Sequence, residues 1–369
     1  MTSLRNEGPI GVFDSGVGGL TVLRALQERL PREDFVYLGD TARSPYGSRG
    51  RQTIINYAHA CVRVLREQRI KLLVIADNTL SAVALEALAG ELFLPVIGAI
   101  VPGAQAALMA GPGAGVTSPA RSVHPGTSTR PVMPSVPPPG VAGASQRPPA
   151  VAERNSVWPV VPGTRTSLPP AAGSGQRVVP RSAIPAAPST PAGSRSTRPR
   201  SPRAGRHIGV LTTTRTALSD AYPRAFRQID SAVRVHVQKS PLLIPLVEEG
   251  YLDGELPRLV LREYLAPLLD VPIDTLLLGC SQYPLLIPLI EAELAAHVAE
   301  GGAPITLVDS AGPLADDVVQ LIAAKNFATE RTEPGKLRLM FTDPPEDFTL
   351  AKRCLGRDLP GLLVSAIDL

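Results

Sequence analysis

The sequence contains two stretches of the same form, Leu72-Leu73-Val74-Ile75-Ala76-Asp77-Asn78-Thr79 and Leu276-Leu277-Leu278-Gly279-Cys280-Ser281-Gln282-Tyr283. Each consists of an apolar run, a small residue, a chemically reactive residue and polar residues that open a helix. An uninterrupted apolar run of this kind is typical of a strand buried in a parallel sheet. The repeated pattern predicts two similar parallel-sheet α/β domains that face each other, with Asp77 and Cys280 at a shared cleft.

Strand and helix patterns alternate in the rest of the chain as well. Strand patterns cover residues 10–13, 35–38, 208–211 and 305–308, and helix patterns cover residues 20–30, 54–68, 217–228 and 314–325. This alternation predicts parallel sheets in which functional residues lie at the carboxyl ends of the strands. We expect a first domain of residues 1–100 and 288–369 and a second domain of residues 101–287, with the active site at their interface.

A segment of different composition, about residues 111–205, interrupts the predicted second domain. It contains 20 of the 39 prolines, together with many Ser, Gly and Ala residues. Such a composition buries too little apolar surface to offset the conformational entropy lost on folding. The sequence therefore predicts a disordered Pro/Ser/Arg-rich insertion in an otherwise ordered protein.

The basic character of the chain belongs to this segment. Between Gly103 and Arg206 there are 12 Arg and one acidic residue, Glu153, which gives +11 and leaves −7 for the remainder of a chain with a net charge of +4. Arginines without interleaved aromatic residues attract anions but offer no platform on which bases stack. An acidic partner for the insertion is left open, and nucleic-acid binding is not favoured.

The three cysteines, Cys61, Cys280 and Cys354, are far apart in the sequence. Their number and spacing fit neither a disulfide framework nor a metal site. The N-terminus is polar, and no run of 18 apolar residues occurs, so neither a signal segment nor a membrane span is predicted. We expect a soluble cytoplasmic protein with reduced thiols.

A Gly-rich turn, Asp14-Ser15-Gly16-Val17-Gly18-Gly19, follows the first predicted strand. Alone it is a weak anion-binding signal, and because it is not GxGxxG a dinucleotide site is not favoured. Together with Gly39-Asp40-Thr41-Ala42-Arg43-Ser44-Pro45-Tyr46-Gly47, Pro241-Leu242-Leu243-Ile244-Pro245-Leu246-Val247-Glu248 and the two stretches quoted above, it resembles the glutamate racemases of the aspartate/glutamate racemase superfamily. The resemblance covers about residues 8–109 and 206–369.

The resemblance implies a cofactor-independent racemase that interconverts L- and D-glutamate to supply peptidoglycan precursors. In that family two cysteines flank the α-carbon of the substrate; one thiolate removes the α-proton, and the opposite thiol returns a proton to the other face. Two groups are needed because the proton leaves one face and arrives at the other. A thiol suits both roles, since its ordinary pKa of about 8.5 is near neutrality. No metal or other cofactor is implied, the substrate is a small amino acid, and a homodimer is left open.

The resemblance also implies a role for particular residues. Cys280 matches the thiol of the second domain, whereas Asp77 stands where the thiol of the first domain is expected. Asp14, Glu248 and Gln282 match positions that assist catalysis. The positions that match the substrate pocket are Asp14, Ser15, Pro45, Tyr46, Gly47, Asn78, Thr79, Thr213 and Ser281.

The departures from the family pattern bear on the chemistry. An aspartate has an ordinary pKa of about 3.9, so Asp77 would rarely hold a proton to donate, although burial beside a substrate carboxylate raises such a pKa. Its charge would also repel an anionic substrate, and its position equally suits a helix cap. Gln282 stands in place of a histidine and cannot change charge, so Cys280 loses a titrating helper.

Three functions stay open on the sequence alone. The first is glutamate racemisation. The second is a single-thiol enzyme of the same superfamily, in which Cys280 protonates another carboxylate substrate during decarboxylation or isomerisation. The third is a catalytically degenerate binding protein whose Arg-rich segment recruits an acidic partner. The retained Asn78, Thr79, Tyr46 and Glu248 favour a functional ligand pocket.

Overall fold

The computed structural model describes residues 7–111, 205–358 and 363–369. The predicted insertion at 111–205 lies, apart from its two end residues, outside the described residues. The strands, in chain order, are β1 (Ile10–Asp14), β2 (Phe35–Gly39), β3 (Leu72–Ile75), β4 (Val96–Gly98), β5 (His207–Thr212), β6 (Arg234–Lys239), β7 (Thr275–Gly279), β8 (Thr306–Asp309), β9 (Leu337–Phe341) and β10 (Leu363–Ala366).

Helices alternate with these strands, as the sequence pattern predicts. They are α1 (Leu20–Arg29), α2 (Arg51–Glu67), α3 (Asn78–Val83), α4 (Leu85–Glu91), α5 (Ile100–Met109), α6 (Thr214–Leu218), α7 (Ala221–Ile229), α8 (Leu243–Glu248), α9 (Glu255–Leu269), α10 (Ile287–Ala299), α11 (Ala311–Lys325) and α12 (Thr349–Leu355). Short 3₁₀ turns cover Thr41–Arg43, Tyr46–Ser48 and Tyr283–Leu286.

The strands form two sheets, and every strand pair in both is parallel. The first sheet has the order β10-β9-β2-β1-β3-β4, and the second has the order β6-β5-β7-β8. The predicted fold class, two parallel-sheet α/β domains, is confirmed. We call the first sheet with its helices the first half and the second sheet with its helices the second half.

The order of connection reverses at β1 in the first sheet and at β5 in the second. From β1 the chain goes to β2 on one side and then to β3 on the other, and from β5 it goes to β6 and then to β7. Ligands of open α/β sheets bind at such reversal points, outside the carboxyl ends of the strands. The two halves therefore offer equivalent sites, at β1–β3 and at β5–β7.

The strands at the centre of each sheet are buried because both of their faces are covered by helices. All residues of β1, β3 and β7 are buried, and burying one large aliphatic side chain stabilises the fold by about 1.5–3 kcal/mol. One apolar cluster contains residues of both halves, among them Phe13, Leu73, Val210 and Leu277. The helices α5 and α7 pack against each other in this shared core, which holds the two halves in one compact unit.

The division of the chain between the two halves differs from the expected boundary at residue 288. The strand β8 is hydrogen bonded to β7 in the second sheet, and α10 contributes Ile287, Ile290 and Leu294 to the core of the second half. A parallel strand next to β7 requires a crossover helix, and α10 is that helix. The chain returns to the first half only with α11, which packs on α1.

The helix expected over residues 217–228 is split into α6 and α7. Asp220 lies at the junction with a left-handed backbone, φ 57°, a conformation in which aspartate is enriched among non-glycine residues. In the described part of the chain, no helix is both long enough and apolar enough to cross a membrane.

Candidate active site

Asp77 lies between β3 and α3 and caps the amino end of that helix. Its Oδ1 accepts a hydrogen bond of 2.6 Å from the backbone N–H of Leu80, and its Oδ2 accepts one of 2.5 Å from the hydroxyl of Ser15. Only 8% of the residue is exposed. Burial raises the pKa of the Asp77 carboxyl, and the hydrogen bonds oppose this shift only in part. The predicted cap is confirmed, and it leaves the carboxyl group at the cleft.

Asp14 lies at the end of β1, the strand beside β3. Its Oδ2 accepts a hydrogen bond of 2.9 Å from the backbone N–H of Gly16, and its Oδ1 accepts one of 3.3 Å from the hydroxyl of Ser281 in the second half. Burial, followed by the negative charge of Asp77, raises the pKa of Asp14 to about 7. Two buried carboxyl groups that repel each other favour a state with a bound proton near neutral pH.

Cys280 follows β7 as Asp77 follows β3, so the two residues occupy equivalent places in the two halves. The thiol is buried, and this burial, with smaller contributions from Asp77 and Asp14, raises its pKa well above the ordinary value. The shift favours the protonated thiol of Cys280 over its thiolate.

Gln282 and Glu248 meet beside Cys280. The Nε2 of Gln282 donates a hydrogen bond of 3.2 Å to Oε1 of Glu248, and burial raises the pKa of Glu248. The other polar atom of the amide, Oε1, is buried and has no donor among the described residues. Gln282 thus presents an acceptor in a place where a titrating group was expected from the family.

Threonine hydroxyls of the two halves contact each other beside the cleft. Thr79 Oγ1 lies 3.1 Å from Thr213 Oγ1 and 3.0 Å from Thr216 Oγ1. Asn78 donates from Nδ2 to Tyr222 OH over 2.7 Å and to Ser310 Oγ over 3.1 Å. These bonds place the start of α3 against the second half.

Pro45, Tyr46 and Gly47 form a loop at the mouth of the cleft, after a cis Ser44–Pro45 peptide bond. The hydroxyl of Tyr46 donates a hydrogen bond to the buried carboxylate of Asp40. Tyr46 therefore lines the cleft with its ring, and its hydroxyl is directed away from the cleft. Gly47 packs on Thr213, where a Cβ would lie 3.1 Å from the threonine Cβ. The loop therefore closes directly onto the second half.

All of the residues that the sequence predicts for the site line one cleft. The residues that line this cleft are Asp14, Ser15, Ser44, Pro45, Tyr46, Gly47, Asp77, Asn78, Thr79, Thr213, Ile244, Glu248, Cys280, Ser281 and Gln282. Two of these lining residues, Ser44 and Ile244, were not predicted from the sequence. A signal for Ile244 exists, because it precedes Glu248 by four residues and shares its face of α8. Three of the described lining residues are acidic, and none is basic.

No site for a metal emerges from the same residues. Within the described ranges, no three His, Cys, Asp or Glu side chains are placed to hold an ion. What the arrangement offers chemically is a thiol at one strand end, a carboxyl group at the equivalent strand end, and hydrogen-bonding groups between them. Such a pair of groups can transfer protons at a substrate carbon.

Comparison with known proteins identifies the family of the chain. No family model matches the chain. The glutamate racemase of Syntrophus aciditrophicus is 35% identical over 355 residues, which cover 96% of this chain and 95% of that protein. The chain belongs to the glutamate racemase family. The glutamate racemase of Chlorobaculum tepidum is 31% identical and is covered to a similar extent, 96% of this chain and 95% of that protein.

Solved glutamate racemases share the fold as well. The glutamate racemase of Thermus thermophilus, in complex with beta-chloro-D-alanine, has a TM-score of 0.63 and 29% identity, with 99% of this chain and 98% of that chain covered. The enzyme of Aquifex pyrophilus has a TM-score of 0.57 and 31% identity, with 96% and 98% covered. The family resemblance and the fold expected from the sequence are confirmed.

Proposed function

We propose that this member of the glutamate racemase family interconverts L- and D-glutamate by moving the α-proton between Cys280 and Asp77. The observation that carries the proposal is the equivalent position of the two residues. Asp77 follows β3, which lies beside the reversal strand β1, and Cys280 follows β7, which lies beside the reversal strand β5. Both residues line one cleft. Groups placed in this way can reach a bound α-carbon from two sides. The D-glutamate formed supplies peptidoglycan precursors, which are made in the cytoplasm.

The reaction needs one base and one acid. In one direction the carboxylate of Asp77 removes the α-proton, the electron pair is left on the α-carbon, and the thiol of Cys280 donates its proton to the other face. The products are protonated Asp77, the thiolate of Cys280 and the opposite enantiomer, so the reverse direction starts from that second protonation state. The raised pKa of Asp77 supports this exchange, because it brings the carboxyl group closer to the thiol in proton affinity.

The test measures both stereochemistry and proton exchange. Purified protein is incubated with L-glutamate or with D-glutamate, and circular dichroism follows the loss of optical activity in each direction. The same samples in D₂O are analysed by mass spectrometry for deuterium at the α-carbon. We expect racemisation with deuterium incorporation, and we expect Cys280→Ser and Asp77→Asn to abolish the racemisation.

Two observations favour a second candidate. Both oxygens of Asp77 accept hydrogen bonds within the protein, and three acids line the cleft, which disfavours a substrate with two carboxylates. A single-thiol enzyme would use Cys280 alone, on a less acidic substrate. Deuterium incorporation without loss of optical activity, abolished by Cys280→Ser but not by Asp77→Asn, would identify it. Binding of glutamate without any exchange would instead indicate a catalytically degenerate binding protein.

The remaining expectations on partners stay predictions. Neither a homodimer nor an acidic partner of the Arg-rich segment follows from the described residues. Size-exclusion chromatography with light scattering on the full chain tests the first of these.

A further inference from the structure

Gln282 carries a buried acceptor without a donor at the edge of the cleft. The residue is 6% exposed, and its Oε1 has no hydrogen-bond partner among the described residues. An orphaned buried acceptor is unfavourable, because no hydrogen bond offsets the loss of its hydration. A side chain kept in this state next to a ligand cleft indicates that a ligand supplies the missing donor.

The orientation of the amide is set by its neighbour Glu248. Because the Nε2 of Gln282 faces Oε1 of Glu248 at 3.2 Å, turning the amide over would place its oxygen against a carboxylate oxygen, and the two acceptors would repel each other. The other orphaned amide oxygen of the cleft, on Asn78, lacks this constraint, since its amide nitrogen faces two hydroxyls that can donate or accept. Of these two amides, Gln282 is therefore the one whose oxygen is held in a fixed direction.

The stem of Gln282 is also held in place. A Cβ added to Gly18 would lie 2.5 Å from Cγ of Gln282, so the Gly-rich turn of the first half packs directly on this side chain. The hydroxyl of Thr21 donates to the backbone oxygen of the preceding Ser281 over 2.9 Å. The contact with Gly18 on the stem and the anchored backbone of Ser281 limit how far the side chain can turn toward another donor.

The chemistry of the substrate determines which group fits this acceptor. In an acidic amino acid near neutral pH, both carboxylates are acceptors, and the α-ammonium group is the one strong donor. Glu248 and the pair Asp14 and Asp77, which shares a bound proton near neutral pH, line the same cleft. The negative charge that remains favours a cation there over a second carboxylate. The acceptor and its surroundings therefore match the ammonium group.

We propose that Gln282 is a specificity-determining residue, whose amide oxygen accepts a hydrogen bond from the α-ammonium group of the substrate. The proposal rests on the binding of glutamate in this cleft under the proposed function. It assigns Gln282 to recognition of the amine, a different task from the titrating assistance expected at this position from the family. Glu248 acts as the positioning residue that directs the amide oxygen toward the ligand.

The experiment compares two ligands that differ in the ammonium group alone. Binding of L-glutamate and of glutarate, the same dicarboxylate without the amine, is measured by isothermal titration calorimetry on the full chain. The variants are Gln282→Met, which keeps the length of the side chain and removes the acceptor, and Gln52→Met as a control on the exposed face of α2. Thermal melting verifies that each variant is folded.

We expect the wild-type protein and Gln52→Met to prefer glutamate over glutarate. Gln282→Met should weaken glutamate binding by roughly tenfold, the loss of one hydrogen bond to a charged group, and leave glutarate binding unchanged. An equal effect on both ligands would mark a purely structural role and overturn the inference, as would an unchanged preference.

The wild-type measurement keeps the proposal open to refutation even if Gln282→Met does not fold. A wild-type protein that binds glutarate as tightly as glutamate, or that binds neither, overturns it. Racemisation is not needed for any of these results, so a protein that shows the expected preference without turnover would refute the proposed function and leave this inference standing.

Discussion

At residue 77 the chain carries a carboxyl group where the family resemblance implies a thiol, and this changes the acid–base chemistry on one side of the cleft. Asp77 is buried and hydrogen bonded by Ser15 and Leu80. Its pKa is raised by burial, but a carboxyl group starts from about 3.9, whereas a thiol starts from about 8.5. A thiol at this position would match Cys280 more closely.

We therefore predict that Asp77→Cys racemises glutamate faster than the wild type. Since each unit of pKa mismatch corresponds to about 1.4 kcal/mol, a gain of roughly tenfold or more in kcat is expected. Circular dichroism of both glutamate enantiomers over time measures it. Asp77→Asn, which keeps the shape and cannot titrate, is the control. A variant Asp77→Cys that binds glutamate and turns over no faster than the wild type would contradict the prediction.

The pair Asp14 and Asp77 also makes the stability of the protein depend on pH. The pKa of Asp14 is raised from 3.8 in the unfolded reference to about 7 in the fold, so the folded state holds a proton that the unfolded state has lost. The contribution of Asp14 is thus fully present below pH 3.8 and is lost as the pH rises toward 7. Removing the charge of Asp77 should reduce this loss.

Asp77→Asn is accordingly predicted to melt at a higher temperature than the wild type near pH 8, by a few degrees, and the gap should close toward pH 4. The amide keeps an oxygen for the N–H of Leu80 and a donor for Ser15, so the helix cap is retained. Thermal melts from pH 4 to pH 8 measure the gap. Asp253→Asn, at an exposed position, should show no gap in melting temperature that changes with pH. A gap for Asp77→Asn that stays constant from pH 4 to pH 8 would refute the role of charge repulsion between Asp14 and Asp77.

At the scale of secondary-structure elements, a buried ion pair joins the entry to β3 with two connecting segments. Lys71 Nζ lies 2.5 Å from Oε2 of Glu33 and donates to the backbone oxygen of Phe327 over 2.7 Å. The other oxygen of Glu33 accepts from the N–H of Thr329 over 2.8 Å. The pair fixes the segment after α11 against the strand that leads to Asp77.

Lys71→Met should therefore lower the free energy of unfolding by about 3–5 kcal/mol, because it leaves the buried carboxylate of Glu33 without its cation. Urea denaturation followed by fluorescence or circular dichroism measures the change. The exposed pair Arg227–Asp220, in which the side chains are 57% and 55% accessible, provides the comparison. Arg227→Met should lower the free energy of unfolding by about 1 kcal/mol or less. A similar loss of stability in both variants would contradict a larger contribution from the buried pair.

At the scale of the whole molecule, the residues on either side of the segment 112–204 are bound to each other. The guanidinium of Arg206 donates to the backbone oxygens of Leu108 and Ala110, the latter over 2.7 Å, and forms an ion pair of 2.7 Å with Asp274. Thr306 Oγ1 donates to the backbone oxygen of Gly111 over 2.7 Å. The end of α5 and the start of β5 are thus joined independently of what lies between them.

Replacing residues 112–204 by a short Gly/Ser linker should leave both the melting temperature and the turnover of glutamate nearly unchanged, because insertions between joined ends are tolerated. Differential scanning calorimetry of the two proteins measures the first, and the circular dichroism assay measures the second. Arg206→Met in the shortened chain is the control that should lower the melting temperature. A large loss on shortening alone would show that the segment stabilises the core.

The elements that carry the site could be predicted from local sequence patterns. The buried parallel strands β1, β3 and β7 are uninterrupted apolar runs, and a local pattern is enough to identify them because their burial on both faces requires apolar residues throughout. The edge strand β6 was not predicted, since its side chains are mostly half-exposed and mix polar with apolar residues. The predicted site residues lie at strand ends and helix starts, where the motif spacing already placed them.

The interactions among these residues depend on the tertiary packing and could not be predicted from the sequence. The repulsion between Asp14 and Asp77 and the hydrogen bond from Gln282 to Glu248 each involve residues that are far apart in the sequence. The same holds for the pairing of β8 with β7, after which the chain returns to the first half. Hydrogen bonds, charge interactions and desolvation depend on distance and burial in space, which a local pattern of residues does not contain. The sequence named the groups at the cleft, and the packing of the two halves decided which of them hold protons and which acceptor is left for a ligand.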